Sequence, residues 1–239
     1  MNHWKKAALA GSAIVTAMSG LAAQAQAQSV VFSGGATLLT DYRLRGASLS
    51  DRKPVIQGVV QADVPLDETF SLYGGVWASS LDKNAGAGAM ETDLFVGAKA
   101  KVGAVALRAR YLRLVFHDDA PAKIDFDQYE VGANLPVSKD LTLGAGAIHD
   151  EYNGGGHSTY GYVSAGYAIQ GTGIGLNGLV GYEDGSRWNN KVNWALGATY
   201  TTGPVTFGAT YIDTNKFSPT SRGTNRAGAG VIFSVGGKF

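Results

Sequence analysis

The feature that most constrains this chain is a series of segments, each about ten residues long, in which apolar and polar residues alternate. In "IQGVVQADV", Ile56 and Val60 fall on one side, whereas Gln57, Gln61 and Asp63 fall on the other. A period of two residues is the signature of a β-strand, because successive side chains point to opposite faces. The sequence therefore predicts an all-β fold.

The spacing of these segments predicts a particular β architecture. Tight turns such as "PLDE" and "VGA" alternate with longer polar connections such as "HDDAPAK". Short turns at one rim and long loops at the other are typical of an up-and-down antiparallel barrel of the outer membrane. Twelve strands are expected, near residues 30–45, 54–65, 69–81, 90–102, 104–116, 125–137, 140–149, 159–169, 172–183, 189–201, 204–213 and 225–239.

A soluble barrel or sandwich also alternates, with its apolar side inward. Two features favour the membrane. The segments are long enough for tilted strands to cross the hydrocarbon core. Their apolar side also carries aromatic residues of the kind that form interfacial girdles. These aromatic residues are Tyr42, Trp77, Tyr129, Tyr167, Tyr182, Trp194, Tyr200 and Tyr211.

The first residues read as a cleaved secretory signal peptide. A basic start, "MNHWKK", precedes an apolar stretch of small residues and then "AQAQAQ", which is the order of parts in such a leader. We expect a signal peptide over residues 1–27 and a barrel domain over 28–239, with cleavage after Ala27 or, alternatively, Ala25. The alternative is a membrane anchor, but an anchor would need a longer apolar run without interruptions.

The composition excludes several classes of protein. Without residues 1–27 the chain has 18 basic and 19 acidic residues, a net charge of −1. A nucleic-acid-binding protein would show a basic excess. There is no cysteine, so neither a disulfide nor lipid attachment at a cysteine is possible. We expect no cofactor.

The last segment, "NRAGAGVIFSVGGKF", places Val231, Phe233, Val235 and Phe239 on one face. A terminal aromatic residue on such a strand resembles the signal by which the bacterial assembly machinery recognises outer-membrane barrels. We therefore predict that Phe239 is an assembly signal, and that the partners include this machinery, outer-membrane lipid and lipopolysaccharide.

The polar face would line the interior. Twelve strands tilted by about 40° give a circumference of roughly 75 Å and leave a passage of about 10 Å or less. No inserted domain is evident that would fill it. The predicted pore-lining residues are Asp41, Arg43, Arg45, Gln57, Gln61, Asp63, Glu91, Asp93, Lys99, Arg108, Arg110, Glu130, Lys191 and Arg226.

These charges have two interpretations. They could select solutes of opposite sign, and the arginines then favour anions. Alternatively they pair with one another to satisfy a polar interior; a symmetric loop after residue 116 would place Arg110 opposite Glu130. By the alternation, Arg113 falls on the apolar, outward face of its strand; we call this outward parity, and the opposite case inward parity. The position suggests either a site at the outer interface, within reach of lipopolysaccharide phosphates, or a β-bulge near residue 112.

A catalytic alternative rests on His149, Asp150, Glu151, His157 and Ser158, which surround one outer loop. Some outer-membrane barrels are lipid-modifying enzymes with a His–Ser pair, and such a serine must be activated by a histidine that a third group orients. Spacing in a glycine-rich loop does not fix that geometry. The residues "HDDAPAK" match no metal-ligand spacing, so no metal site is predicted.

Residues 37–100 carry a family resemblance. The stretches "TLLTDYRLRGASLSDRKPVIQG", "LYGGVWASSLD" and "METDLFVGAK" resemble the opening strands of the TorF-family putative porins of Gram-negative bacteria. Leu49 and Ser80-Leu81 depart from the family pattern. The resemblance implies an outer-membrane β-barrel but names no solute.

Together these observations predict a porin-like channel in the bacterial outer membrane, for passive diffusion of small solutes, with anions favoured, through a narrow charged lumen. The two alternatives are an outer-leaflet lipid-modifying enzyme and a structural or adhesive barrel that salt bridges close.

Overall fold

The computed structural model describes residues 29–118, 124–219 and 225–239. The predicted signal peptide lies outside these residues. The strands are β1 Val31–Leu39, β2 Arg43–Leu44, β3 Ala47–Ser48, β4 Val55–Pro65, β5 Phe70–Ser80, β6 Met90–Val102, β7 Val105–His117, β8 Phe126–Pro136, β9 Leu141–Tyr152, β10 His157–Ile169, β11 Ile174–Gly185, β12 Lys191–Thr202, β13 Val205–Thr214 and β14 Gly230–Lys238. A short 3-10 helix spans Lys83–Ala85.

Twelve of these strands form one closed antiparallel barrel, and each pairs with its neighbours along the chain. The barrel closes where β1 pairs with β14, in the register Leu38↔Val235. Phe239 extends this pairing, because its N–H donates to Gly34 O (3.0 Å) and its carbonyl accepts from Gly34 N (3.2 Å). The predicted strand number and up-and-down order are therefore confirmed. The remaining strands, β2 and β3, form a separate hairpin.

The exterior of the barrel is apolar. Large side chains with outward parity are exposed on strand after strand, as Ile56, Leu94, Val163, Leu196 and Phe233 illustrate. An exposed apolar band of this kind would be costly in water, whereas it suits a barrel surrounded by lipid. No helix among the described residues is long and apolar enough to span a membrane.

The two rims of the barrel differ. We call the end with the connections at 66–69, 103–104, 137–140, 170–173 and 203–204 the inner rim, because short turns face the periplasm in outer-membrane barrels. The opposite end, which we call the outer rim, carries the longer connections, among them 40–54, 81–89 and 215–229.

The first strand is shorter than the sequence predicted. It ends at Leu39 rather than near residue 45, so the alternation through Asp41, Arg43 and Arg45 does not continue the barrel wall. Residues 40–54, which we call the lumen segment, instead fold into the barrel. The sequence shows no inserted domain, yet this short segment of the chain occupies part of the interior.

Three further predictions need correction. The last strand begins at Gly230 rather than 225, which leaves Arg226 in the preceding connection.

Trp77 and Tyr42 do not belong to the lipid-facing girdle. Their rings contact each other inside the barrel, with centroids 5.6 Å apart and an interplanar angle of 62°, because Trp77 lies on the inward face of β5 beside inward Val59.

Candidate functional site: the interior of the barrel

The tip of the lumen segment is a two-residue turn between β2 and β3. Leu44 pairs with Ala47, so Arg45 and Gly46 form the turn, with φ of 49° and 91° respectively. Positive φ at both positions is characteristic of the turn type that suits a tight hairpin. Arginine rarely adopts this conformation, so the surrounding contacts must hold it there.

Those contacts lie on the far wall of the barrel. Arg45 donates from Nη1 to Asp150 Oδ2 at 2.7 Å and from Nη2 to Asp150 Oδ1 at 3.1 Å. It also reaches Glu183 Oε1 (3.1 Å) and Gln128 Oε1 (3.2 Å). Asp150 belongs to β9, which is diametrically opposite β1 in the twelve-strand order. The lumen segment therefore crosses the whole interior.

The side chains of this cross-barrel network are almost inaccessible to solvent. The side chains of Arg45, Asp150 and Glu183 are 7 %, 2 % and 3 % exposed. Lys191, buried on β12, forms a second ion pair with Glu183 at 2.6 Å. Two cations thus face two carboxylates, which is how buried charges are normally tolerated.

The base of the lumen segment is held by a second network around Asp41. Its carboxylate accepts from Arg43 Nε (2.7 Å), Ser48 Oγ (2.6 Å) and Ser50 Oγ (2.9 Å). Arg43 also donates to the carbonyl of Gly228 at 2.5 Å, in the connection before β14. The Arg43 side chain is only 2 % exposed, so it does not line an open passage.

The end of the lumen segment is tied to the neighbouring loop. Lys53 donates to Asp82, and this bond, with the N–H of Asn84 at 2.9 Å, holds the pKa of Asp82 below its ordinary value. A hydrogen bond to the charged form has this effect because it stabilises the carboxylate.

An apolar surface supports the lumen segment from one side. Inward residues of β5–β8 form a buried cluster, against which Leu44 and Leu49 pack. Five members of the cluster are Phe95, Leu112, Leu114, Phe116 and Phe126. Apolar residues at inward positions are unusual for a water-filled lumen, where polar side chains are expected. Here they give the segment a hydrophobic contact surface.

The inner half of the barrel has a different lining. On β7 and β8, Arg108 and Arg110 share one carboxylate: Arg108 Nη2 lies 2.6 Å from Glu130 Oε1, and Arg110 Nη2 lies 2.5 Å from Glu130 Oε2. The two arginine side chains are 37 % and 31 % exposed, whereas that of Glu130 is 3 % exposed. Positive charge therefore reaches the open space while its counterion stays covered.

A second ion pair, between β4 and β6, also lines the inner half of the barrel. Lys99 on β6 pairs with Asp63 on β4, and its Nζ lies 4.6 Å from the centre of the Tyr73 ring. Gln61 also donates to Asp63, at 2.6 Å. We call the inner half lined by Asp63, Lys99, Arg108, Arg110 and Glu130 the inner chamber.

Two glycines make room for tyrosine rings on the lumen-facing side of the barrel wall. A Cβ on Gly146 would lie 2.6 Å from the Tyr162 hydroxyl, and a Cβ on Gly181 would lie 2.0 Å from the Tyr160 hydroxyl. Both rings therefore occupy space that any other residue would fill. Tyr162 uses its position to accept a hydrogen bond from Arg108 Nη2 at 2.7 Å.

The structure places the fourteen predicted pore-lining residues in three groups. Ten belong to inward positions of barrel strands: Gln57, Gln61, Asp63, Glu91, Asp93, Lys99, Arg108, Arg110, Glu130 and Lys191. Asp41, Arg43 and Arg45 belong to the lumen segment rather than to β1, as described above. Arg226 lies in the connection before β14 and donates to Ser218 Oγ at 2.7 Å.

Glu91 and Asp93 illustrate the effect of the lumen segment. Both have inward parity on β6, yet Glu91 is fully buried and Asp93 is nearly so, because Tyr42 of the lumen segment lies against them. They do not pair with Arg43 or Arg45, which was one possibility that the sequence left open. Arg110 and Glu130 do stand opposite each other, in the predicted register.

Three barrel-wall residues that contribute to these networks were not among the predicted ones: Gln128, Tyr162 and Glu183. All three have inward parity, which Asp150 shares, so the alternation could have identified them. Their pairing with Arg45 and Arg108 could not be read from it.

Arg113 occupies an outward position without a bulge, because the β6–β7 register runs continuously through Leu94↔Arg113 and Phe95↔Leu112. Its guanidinium contacts Asp127 Oδ2 (3.2 Å) and Asn153 Oδ1 (2.9 Å). A second carboxylate, Asp125 Oδ2, lies 3.7 Å from Arg113 Nη2, so neighbouring acidic side chains satisfy this charge on the outer surface near the loops.

The catalytic constellation is not assembled. Ser158 is fully buried and accepts a hydrogen bond from the Tyr152 hydroxyl at 2.9 Å. His149 and His157 lie on the opposite, outward face, with ring centroids 5.6 Å apart. Asp150 is bound to Arg45. Adjacent strand residues point to opposite faces, which separates His157 from Ser158. No group of three potential metal ligands occurs among the described residues.

A closed twelve-stranded barrel with an apolar exterior and a charged interior is the architecture of an outer-membrane β-barrel. The chain belongs to the Gcw_chp family, described as bacterial protein of unknown function, whose model matches residues 23–238. No curated protein matches the sequence.

Solved structures of outer-membrane channels share the fold. The COG4313 outer membrane channel from Pseudomonas putida F1 is similar with a TM-score of 0.55 at 10% identity, over 90% of this chain and 97% of that chain. The KdgM porin is similar with a TM-score of 0.53 at 8% identity, over 87% and 98%. A structure of KdgM porin in complex with disordered oligogalacturonate gives 0.50 at 8% identity over the same shares. The protein thus has the fold of outer-membrane porins, and its exposed apolar exterior suits a barrel in that membrane.

Proposed function

We propose that this protein is an outer-membrane channel through which small solutes diffuse passively, and that it favours anions. The observation that carries the proposal is the arrangement of Arg108, Arg110 and Glu130 in the inner chamber. Two half-exposed guanidinium groups share one covered carboxylate, so the surface that a solute meets is positive.

Counting the whole inner chamber supports the same sign. Arg108, Arg110 and Lys99 face Asp63 and Glu130 there, so the cations outnumber the carboxylates. An excess of one charge along a narrow passage favours solutes of the opposite charge. The fold that the protein shares with known outer-membrane channels is consistent with this role.

A barrel closed at its outer half is the second candidate, and the Arg45 network favours it. The lumen segment spans the interior and its ion pairs are buried. Under this alternative the interior ion pairs serve stability alone. The two candidates differ in whether solutes pass beside the lumen segment.

Removing the lumen segment tests both candidates. Leu39 of β1 pairs directly with Val55 of β4, so residues 40–54 can be replaced by Asn-Gly, which forms a two-residue turn between antiparallel strands. The natural chain and the shortened chain are folded in detergent and inserted into planar bilayers. Heat-modifiable migration on gels checks that each has folded. The reversal potential is measured in a potassium chloride gradient.

The channel proposal expects a small anion-preferring current from the natural chain and a several-fold larger one from the shortened chain. A folded shortened chain that passes no current would refute the channel. Current from the shortened chain alone would instead establish that the natural barrel is closed.

The remaining expectations belong to this proposal. We infer that residues 1–27 are removed on export, that Phe239 is recognised by the barrel assembly machinery, and that lipopolysaccharide surrounds the outer rim. The resemblance of residues 37–100 to TorF-family putative porins supports the channel assignment. The KdgM porin, which has a similar fold, has been solved in complex with oligogalacturonate, and this acidic ligand supports the preference for anions.

A further inference from the structure

A cavity of about 400 Å³ opens at the outer rim, directly above the lumen segment. Its floor includes Leu44 and Arg45, and its walls come from β8, β9, β11, β12 and the connections at the outer rim. We call it the outer cavity and define it by six lining residues: Arg45, Tyr152, Arg187, Trp188, Phe217 and Arg226. Its volume lies within the range that holds a small organic molecule.

The charges in the outer cavity do not balance. Arg45 and Lys191 are already paired with Asp150 and Glu183. The ion pairs found among the described residues (29–118, 124–219 and 225–239) involve neither Arg187 nor Arg226. The described lining therefore has an excess of two positive charges.

The two arginines that lack a carboxylate partner line the same outer cavity. Burial lowers the pKa of Arg226, and repulsion from Arg187 lowers it further. Arg226 is fixed by its bonds to Ser218 Oγ at 2.7 Å and to the carbonyl of Ala85. A like-charged pair held in place is stabilised by an anion between them.

Arg187 is positioned by aromatic rings. Its guanidinium carbon lies 3.9 Å from the centre of the Tyr152 ring and 5.6 Å from that of Phe126. Stacking on a ring leaves the in-plane N–H donors available, and this fork matches the two oxygens of a carboxylate. One of these donors contacts the carbonyl of Ile124 at 3.3 Å.

Apolar surface lies beside these donors. Phe217 is 66 % exposed at the cavity, and Trp188 lies beside Lys191, whose Nζ is 4.4 Å from the indole ring. Binding sites for small organic molecules combine such aromatic walls with a few placed polar groups. A bare inorganic anion would leave the apolar part of the cavity unused.

We propose that the outer cavity binds small organic carboxylates, with Arg187 and Arg226 holding the carboxylate and Trp188 and Phe217 contacting the body of the molecule. This proposal names the class of solute for the channel proposed above and rests on it for its biological meaning. The binding itself requires no conduction.

Calorimetry on the detergent-folded protein tests the binding, with benzoate as probe and benzamide as its neutral counterpart of the same shape. Benzoate is expected to bind and benzamide is not. Arg187→Gln and Arg226→Gln are each expected to weaken benzoate binding about tenfold or more, as loss of a charge-assisted hydrogen bond does. Lys139→Gln removes an exposed charge at the inner rim and serves as the matched control, which should bind normally.

Arg187→Lys provides a further variant if either glutamine variant fails to fold. It keeps the charge but loses the planar fork, so an intermediate affinity is expected. Equal binding of benzoate and benzamide, no heat from either, or unchanged affinity in all arginine variants would overturn the proposal. Inorganic phosphate binding as tightly as benzoate would overturn the role of Trp188 and Phe217.

A bilayer measurement separates this proposal from the channel proposal. Benzoate added on the side of the outer rim should interrupt the current more often than benzoate added on the other side. If the protein binds benzoate but never conducts, the cavity site stands and the channel is refuted. If it conducts and binds no benzoate, only the cavity site is refuted.

Discussion

The outer and inner halves of the barrel interior are built on the same strands, yet they treat charge in opposite ways. In the outer half, Arg45 and its carboxylate partners are buried beneath the lumen segment. In the inner half, Arg108 and Arg110 keep a third of their surface exposed. The strand alternation is continuous through both halves, so the wall alone does not produce the difference. The lumen segment produces it.

This comparison shows that an inward position in a barrel has no fixed environment. On β7, Leu112, Leu114 and Phe116 face inward in the outer half and form an apolar surface against the lumen segment. Two residues further toward the inner rim, Arg110 faces the open chamber. Side chains that would be poorly suited to water become suited once another part of the chain covers them.

The largest expected effect is on the free energy of unfolding, and it compares Arg45 in the outer half with Arg108 in the inner half. Arg45→Met removes the ion-pair partner of Asp150, which is almost fully buried, so the free energy of unfolding should fall by about 3–5 kcal/mol. Arg108→Met leaves Glu130 Oε2 paired with Arg110 but removes both bonds to Oε1, so the loss should be smaller, about 1–2 kcal/mol. Urea unfolding in lipid vesicles, followed by tryptophan fluorescence, measures both.

Equal losses from the two substitutions would contradict the comparison, because they would mean that burial by the lumen segment does not set the strength of the pairing. A loss from Arg45→Met below 1 kcal/mol would have the same meaning.

An intermediate effect is expected where a glycine leaves room for a ring in the inner half. Gly146→Ala would bring a Cβ within 2.6 Å of the Tyr162 ring, so the ring must move away from Arg108, at a cost of about 1–2 kcal/mol in unfolding free energy. Gly166→Ala is the matched control, since no atom lies within 4 Å of the added Cβ. If both variants unfold alike, the close packing of Tyr162 does not stabilise the chamber wall.

The smallest expected effect is on ion selectivity. Arg108→Gln removes one exposed charge and retains the Arg110–Glu130 pair. A unit charge acting in a mostly aqueous passage changes the anion-to-cation permeability ratio by about twofold to fivefold. The reversal potential in a potassium chloride gradient reports the change.

Arg113→Gln is the control for this measurement, because Arg113 lies on the same strand but faces outward. A shift of equal size in both variants would mean that the inner chamber does not govern selectivity.

Much of the fold follows from local sequence. The alternation predicted twelve strands, their order and the outward face, because the two-residue period is a property of each strand and needs no knowledge of its partner. The register of Arg110 with Glu130 also followed, since a hairpin fixes the pairing of its own two strands.

The fate of residues 40–54 could not be obtained in the same way. Their alternation continues that of β1, and the local signs of a reversal are two short turns, Arg45-Gly46 and Asp51-Arg52, where φ is positive. The partners that hold the hairpin inside, Asp150 and Glu183, lie 105 and 138 residues away along the chain.

What the sequence by itself determined is therefore the barrel and its two faces, whereas the tertiary structure alone decided which inward charges are buried and which remain exposed. The physical reason is that parity depends on neighbouring residues, while burial depends on distant segments that meet only when the barrel closes.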